Sequence, residues 1–433
     1  MYLYSTGWKK FQLLTRHPGI VPHMKTPPSD NRQPSLTVLG VLRTLPSGIW
    51  ALGLVSMFMD ISSELIHSLL PVFMATVLGA SMTTIGLVEG VAEAAAAITK
   101  VFSGVISDFL GRRKLLAGFG YGLAALTKPI FPLASTIGWV FAARFIDRIG
   151  KGIRGAPRDA LVADIAPCQL RGAAYGLRQS LDTVGAFIGP LAAVAFMVWL
   201  TSNIRAVLWV AVVPAFISVA LLIFGVHDPK RSEIDSGMRS PVTFAGATRL
   251  PLRYWLIVLL GGIFTLARFS EAFLVLRARD VGLTLGYVPM VLIVMNVFYS
   301  VTAYPAGVAA DRLSQRALLV AGLAMLVAAD LVLATAESPL LVLIGAALWG
   351  LHLGLTQGLF AKLVADTCPA ELRGCAFGIF NLVSGGALLL ASLIAGLLWS
   401  AYGASVTFFT GAVFTLLALL GLLAYPRASR SGQ

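Results

Sequence analysis

Leu161-Val-Ala-Asp-Ile-Ala-Pro-Cys-Gln-Leu-Arg-Gly-Ala-Ala-Tyr-Gly176 returns as Leu363-Val-Ala-Asp-Thr-Cys-Pro-Ala-Glu-Leu-Arg-Gly-Cys-Ala-Phe-Gly378. The second copy begins 202 residues after the first, position 363 against 161, in a chain of 433. Gly104 and Asp108, with three residues between them, recur as Gly307 and Asp311, 203 residues on. A repeat in the same order means two parallel copies of one unit. In a membrane protein, such copies form two similar bundles related by an axis along the membrane normal, with a site between them.

Composition puts the chain in a membrane. It is 57% hydrophobic and 12% charged, with a mean hydropathy of +0.84. That is too little charge to cover a soluble surface. Residues 205–226 and 405–424 are long, nearly uncharged blocks, each enough to cross the roughly 30 Å of hydrocarbon. A transmembrane β-barrel would show short alternating segments instead. The three cysteines, Cys168, Cys368 and Cys375, make no disulfide framework and read as reduced thiols. Residues 1–47 are polar and basic and lack the short apolar core of a signal peptide. They read as a cytoplasmic tail, in which Met24 is an alternative start to Met1.

The net charge of +13 is distributed as a topology signal. Lys9, Lys10, Arg16, Lys25, Arg32 and Arg43 precede the first span, and Arg112, Arg113 and Lys114 follow the second. Further basic groups cluster between the sixth and seventh spans and after the eighth, tenth and last. Alternate loops carry few. This positive-inside pattern places both termini in the cytoplasm, and nucleic acid needs no role.

Spans are expected near 48–77, 84–107, 115–135, 137–156, 172–199, 205–226, 254–277, 285–310, 316–335, 339–362, 374–399 and 403–425. The expected fold is therefore an all-α polytopic membrane protein with twelve transmembrane helices in two pseudo-symmetric six-helix bundles. Residues 48–226 form the N-terminal bundle and 254–426 the C-terminal one. The charged, Ser/Gly/Pro-rich stretch 227–253 is the cytoplasmic linker, and 427–433 a cytoplasmic tail.

Gly104-Val-Ile-Ser-Asp108-Phe-Leu-Gly111-Arg112-Arg113 closes the second span. Here the chain resembles the major facilitator superfamily, whose loop between spans 2 and 3 reads Gly-x-x-x-Asp-(Arg/Lys)-x-Gly-Arg-(Arg/Lys). Phe109 departs from the pattern, and the second copy keeps Gly307, Asp311, Arg312 and Arg316 but has Ser314 and Gln315. The resemblance covers residues 48–426. It implies a conformational latch at Gly104, Asp108, Gly111, Arg112, Arg113, Asp311 and Arg312. Read without it, these groups are a helix cap and a topology signal. Gly176, Gly185, Gly189 and Pro190 resemble the helix-bend motif of proton-coupled exporters in that superfamily, although Ala193 and Val194 replace its last two glycines. Small residues on one face also allow plain close packing.

Span 4 is unusual in its charge. Arg144, Asp147, Arg148 and Lys151 lie inside it, and Arg144, Arg148 and Lys151 share a face. Arg148 and Gly152 match the Arg-x-x-x-Gly that the resemblance ties to proton coupling. Arg154 and Arg158 are expected to snorkel to the interface, and Asp147 to pair with Lys151 four residues on. Gly150-Lys151-Gly152 lacks the surroundings of a phosphate loop. Span 1 offers Asp60, Glu64 and His67 on one face, span 2 offers Glu89, Glu93 and Lys100, and span 5 offers Arg178 and Asp182. Deep charges survive only when they pair or face a cavity. Asp60, Glu64, Glu89, Glu93, Asp147 and Asp182 balance Lys100, Arg144, Arg148, Lys151, Arg154 and Arg178, as a buried ionised network requires. Such a network either holds the bundle together or carries protons, with Asp60 or Glu64 as the proton site. The C-half is plainer. Arg268, Glu271, Asn296, Tyr299, His352, Gln357 and Asn381, with His67 from span 1, are the substrate-cavity candidates.

The resemblance implies a secondary active transporter in a bacterial-type inner membrane, working as a monomer in the lipid bilayer. Its partners would be a small-molecule substrate and protons, and no cofactor or metal is expected. Proton-coupled export of small amphipathic compounds is the first reading. Proton-coupled import of an anionic solute, such as a metal chelate or organic acid, is the second. A non-transporting membrane enzyme or receptor is the reading from another class, and no nucleophile–base pair or metal-ligand spacing supports it.

Overall fold

The computed structural model describes residues 44–110, 112–167, 170–199, 202–227, 244–312, 314–356, 363–364, 367–368 and 372–424. Among them there is helix and no strand. The long helices are α1 (Ser47–Thr76), α2 (Met82–Leu110), α3 (Arg113–Thr127), α4 (Ile137–Ile165), α5 (Arg171–Trp199) and α6 (Ile204–Gly225). After the 3-10 turn Phe244–Arg249 come α7 (Leu252–Asp280), α8 (Met290–Arg312), α9 (Gln315–Ala334), α10 (Pro339–Thr356), α11 (Arg373–Tyr402) and α12 (Ala404–Ala424). The tails 1–43 and 425–433, residues 228–243 of the linker, and Cys168, Gly111 and Gln357 lie outside the described residues.

Local chemistry sets the helix ends. The Ser81 hydroxyl accepts from the Thr84 N–H at 3.2 Å, and Ser314 accepts from Ala317 in the same way, as N-caps do. Asn203 caps α6 through the Arg205 N–H. Gly403 adopts φ 87°, a backbone open to glycine, and lets α11 turn directly into α12.

Among the described residues, nine helices are long and apolar enough to cross a membrane. The remaining long helices, α2, α3 and α4, fall short because two carry the buried charges and one is brief. Large apolar side chains such as Phe224, Leu252, Leu133 and Val413 stand exposed, as they do on a surface facing lipid rather than water.

Several expected spans differ in detail. α4 runs to Ile165, nine residues past the expected end at 156, so the repeated Leu161–Asp164 lies inside the helix. The third span breaks at Lys128-Pro129 before a short helix, Ile130–Leu133, because proline cannot continue the backbone ladder. The seventh span, read as continuous, is interrupted between Ala267 and Ala272. Cys368 and Cys375 are buried and carry no disulfide.

Helices α1–α6 pack among themselves, as do α7–α12. The two sets meet along α2–α11, α5–α8 and α1–α7. Glycines make the α2–α11 seam close. A Cβ at Gly86 would stand 2.2 Å from the Ser392 carbonyl oxygen, and one at Gly396 would stand 2.5 Å from that of Met82. The Thr83 and Ser400 hydroxyls hydrogen-bond across the seam at 2.9 Å. At this end, which carries the α1–α2 turn, one apolar core joins both sets, with Leu69, Leu70 and Phe73 against Phe273, Leu274 and Val288. Toward the other end the described clusters are smaller and stay within the C-terminal set.

Candidate functional site

The deep charges of α1, α2 and α4 meet as the sequence suggests. Arg144 donates to Glu89 at 2.7 Å, with both side chains almost wholly buried. Arg144 also lies 3.8 Å from Glu93, and Arg148 3.3 Å from the same carboxylate. His67 links two acids, 3.5 Å from Glu64 and 3.9 Å from Glu89. The row therefore runs from α1 through α2 to α4 without a gap.

Asp147 does not pair with Lys151. Its partner is Lys128, at 2.8 Å, which also donates to the Ser63 hydroxyl at 3.1 Å. Lys128 sits at the Pro129 break, where α3 ends and its side chain can turn inward. Lys151 stays exposed to the cavity. Arg154 and Arg158 do not snorkel. Arg154 is buried with its guanidinium 4.9 Å from the Tyr121 ring centroid, a cation–π contact. Arg158 donates to the Ser56 hydroxyl at 3.2 Å and lies 3.1 Å from Asp159 and 3.7 Å from Asp182. Arg178 completes this second cluster, 3.2 Å from Asp159 and 3.1 Å from Asp182. The aromatic and carboxylate partners of the interior outweigh the pull of the interface for these long side chains. Lys100, grouped with the network by spacing, is exposed.

The glycines of α5 serve contact with α1. A Cβ at Gly185 would come 2.5 Å from the Met57 carbonyl oxygen and 3.1 Å from Asp60 Cβ. One at Gly189 would come 2.8 Å from the Ile61 carbonyl oxygen and 2.9 Å from Glu64 Cβ. A Cβ at Gly176 would meet no described atom of a neighbouring element within 4 Å. The helix continues unbroken through Pro190. Two residues of the motif thus set how near α5 comes to Asp60 and Glu64.

Of the latch residues, Gly104 is loosely packed: a Cβ there would meet Ala156 Cβ at 3.6 Å, an ordinary contact. Arg113 reaches Asp164 at 2.5 Å and the Ala160 carbonyl at 3.1 Å, tying α3 to the end of α4. The side chains of Asp108, Asp311 and Arg312 lie outside the described residues, although all three belong to helices.

A cavity of about 460 Å³ lies between the two sets. On the N-terminal side Glu64, His67, Glu93, Arg148 and Lys151 face it. On the C-terminal side Arg268, Glu271, Asn296 and Asn381 do so as expected. Ser384 lines it as well, and so do Phe269 and Trp349, which were not singled out in the sequence. The Phe269 and Trp349 rings pack 5.6 Å apart, centroid to centroid. The break in α7 presents Arg268, Phe269, Ser270 and Glu271 together, and the Ser270 N–H donates to Ser392 of α11 at 3.2 Å. Two cavity candidates sit elsewhere. His352 is fully buried with Nδ1 2.8 Å from the Gly322 carbonyl, in the α9–α10 seam. Tyr299 packs against the shared apolar core.

Known proteins give this geometry a setting. The sequence profile of the Major Facilitator Superfamily matches residues 52–295 and 269–433. An uncharacterized MFS-type transporter of Methanocaldococcus jannaschii is 32% identical over 390 residues, 88% of this chain and 95% of its own. A gentisate transporter of Corynebacterium glutamicum is 26% identical over 380 residues, 79% of this chain and 80% of its own. A crystal structure of the nucleoside transporter NupG superposes with a TM-score of 0.76 at 12% identity, covering 87% of this chain and 99% of that one. The sequence repeat, the paired helical sets and the cavity between them agree with the profile match: the chain is a multi-pass membrane protein that belongs to the major facilitator superfamily of transporters.

Proposed function

We propose that the protein is a proton-coupled secondary transporter that works by alternating access about the cavity between residues 48–226 and 254–426. All twelve helical stretches cross the bilayer in this reading, including the charged α2 and α4, whose charges face partners and the cavity rather than lipid. Both termini lie in the cytoplasm, following the basic residues of alternate loops. The glycine-lined α2–α11 seam and the shared apolar core then close the outer side, so the present state faces inward. The membrane is a bacterial-type inner membrane, and one chain suffices for function.

The observation that carries this reading is the cavity wall itself. An ion-pair row of acids and arginines forms one side, and a broken helix with aromatic and polar groups forms the other. Asp60 or Glu64 would take the proton, because Gly185 and Gly189 bring α5 directly against them. A shift of α5 on α1 would change their surroundings, and with them the balance between charged and neutral carboxyl. The latch residues from Gly104 to Arg113, with Asp311 and Arg312, would set the switching equilibrium.

Export of small amphipathic compounds in exchange for protons is the primary reading, supported by the α5 motif. Import of an anionic solute with protons is the second. Lys151 and Arg268 favour it, since they face the cavity without an ion-pair partner within 4 Å among the described residues. Phe269 and Trp349 offer an apolar surface beside them, suited to an aromatic carboxylate such as the gentisate named for the relative. The test is a proteoliposome assay with an imposed pH gradient, screened against organic cations and aromatic carboxylates. Proton release coupled to outward substrate movement supports export. Co-movement of carboxylate and proton, lost in Arg268→Ala and Lys151→Ala, supports the second reading. No substrate-dependent proton flux in either direction would refute both.

A further inference from the structure

Among the described residues of the C-terminal set, one carboxyl group is completely buried. Asp330 of α9 has no exposed surface, and neither of its oxygens has a hydrogen-bond partner. Gly411 of α12 makes room for it. A Cβ there would stand 2.9 Å from Asp330 Oδ2 and 3.0 Å from Phe269 Cε1. The nearby Thr415 hydroxyl is given to the Gly411 carbonyl at 2.9 Å.

Among the described residues, no compensating charge has a contact with this group. α9 packs against α10 and α12, and more lightly against α8. Residues 404–424 of α12 contain no ionisable side chain. The ionisable residue of α10 is His352, held at the Gly322 carbonyl, eight positions and about 12 Å along α9. α8 offers Tyr299. From α7, Arg277 bonds the Leu333 and Ala336 carbonyls and pairs with Asp280, while Arg268 and Glu271 line the cavity. Burial without a partner disfavours the charged form of a carboxyl group. A leucine would pack the same space without that cost, and an ionisable group kept deep in a membrane protein points to a role.

Phe269 stands at the same Gly411 notch as the Asp330 carboxyl and also lines the cavity. Phe269 also lies on the break in α7, next to Arg268. We propose that Asp330 is a proton-binding site of the C-terminal set, closed in this state by the Phe269 ring and opened to the cavity when the broken segment of α7 moves. On opening, the carboxylic acid gives its proton to cavity water, and the carboxylate left behind is met by the Arg268 guanidinium. This rests on the transporter reading, and it adds a second proton site remote from the N-terminal network.

Two measurements test it. Infrared spectroscopy of the purified protein at neutral pH should show a protonated-carboxyl C=O band that disappears in Asp330→Asn. In D₂O the band should shift slowly in the wild type and faster in Phe269→Leu. In proteoliposomes, Asp330→Asn should move one proton fewer per substrate than the wild type. An unchanged band in a folded Asp330→Asn protein, or an unchanged proton-to-substrate ratio, would overturn the proposal. The infrared arm needs no transport, so it is decided even if the transporter reading itself fails.

Discussion

Breaking the Arg144–Glu89 pair should destabilise the protein unequally, depending on which partner is removed. The bond is 2.7 Å long, and the side chains are 1% and 0% exposed. At an effective dielectric of about 20, unit charges at that distance attract by about 6 kcal/mol, and at 3.8–3.9 Å by about 4 kcal/mol. In Glu89→Gln, Arg144 keeps Glu93 at 3.8 Å. In Arg144→Met, Glu89 keeps only the His67 ring at 3.9 Å, which is charged only when protonated. Its second oxygen already lacks a partner. Removing one side of a buried pair costs about 3–5 kcal/mol. Arg144→Met should fall at the upper end of that range and Glu89→Gln at or below the lower end. The double variant leaves no orphaned charge from this pair and should be less damaged than Arg144→Met alone. The coupling energy should then be at least about 2 kcal/mol. Denaturant unfolding in detergent, followed by tryptophan fluorescence, measures all three variants. Single effects that add to within about 0.5 kcal/mol, or a Glu89→Gln cost above that of Arg144→Met, would refute the reasoning.

Two further perturbations follow from the same contacts. Gly185→Ala should destabilise by about 1–3 kcal/mol through overpacking against the α1 backbone, whereas Gly176→Ala, with open space around it, should be neutral or gain about 0.5–1 kcal/mol; thermal unfolding in detergent separates them, and equal effects would contradict the packing. Lys128→Met should cost about 3–5 kcal/mol by stranding Asp147, and Asp147→Asn in the same chain should restore most of it; a double variant no more stable than the single would mean the pair is not what holds that region.

Much of the fold was legible in the sequence because apolar length, basic loops and an internal repeat are all local or periodic signals. The Glu89, Glu93, Arg144 and Arg148 cluster was legible for the same reason. Helical spacing puts each set on one face, and charges in a membrane interior must find each other. Lys128 was missed because it is the lone charge in the expected span 115–135, with no second charge at helical spacing to mark it. Asp147 was given the wrong partner, since a neighbour four residues away is visible in sequence and one on another helix is not. The break in α7 carries no proline, so nothing local announced it. Phe269 and Trp349 are apolar residues among many, and only the packing of distant helices places them on the cavity. Arg154 and Arg158 were read from their nearness to a helix end, but α4 runs on to Ile165 and keeps them inside.

Alternating access requires the α2–α11 seam to part during each cycle. Thr83 and Ser400 face each other across it, with hydroxyls 2.9 Å apart. After replacement of Cys168, Cys368 and Cys375, the Thr83→Cys/Ser400→Cys protein should form a disulfide under mild oxidation. Transport in proteoliposomes should then stop, and reduction should restore it. A fully cross-linked protein that transports at the rate of its reduced form would contradict alternating access about this cavity.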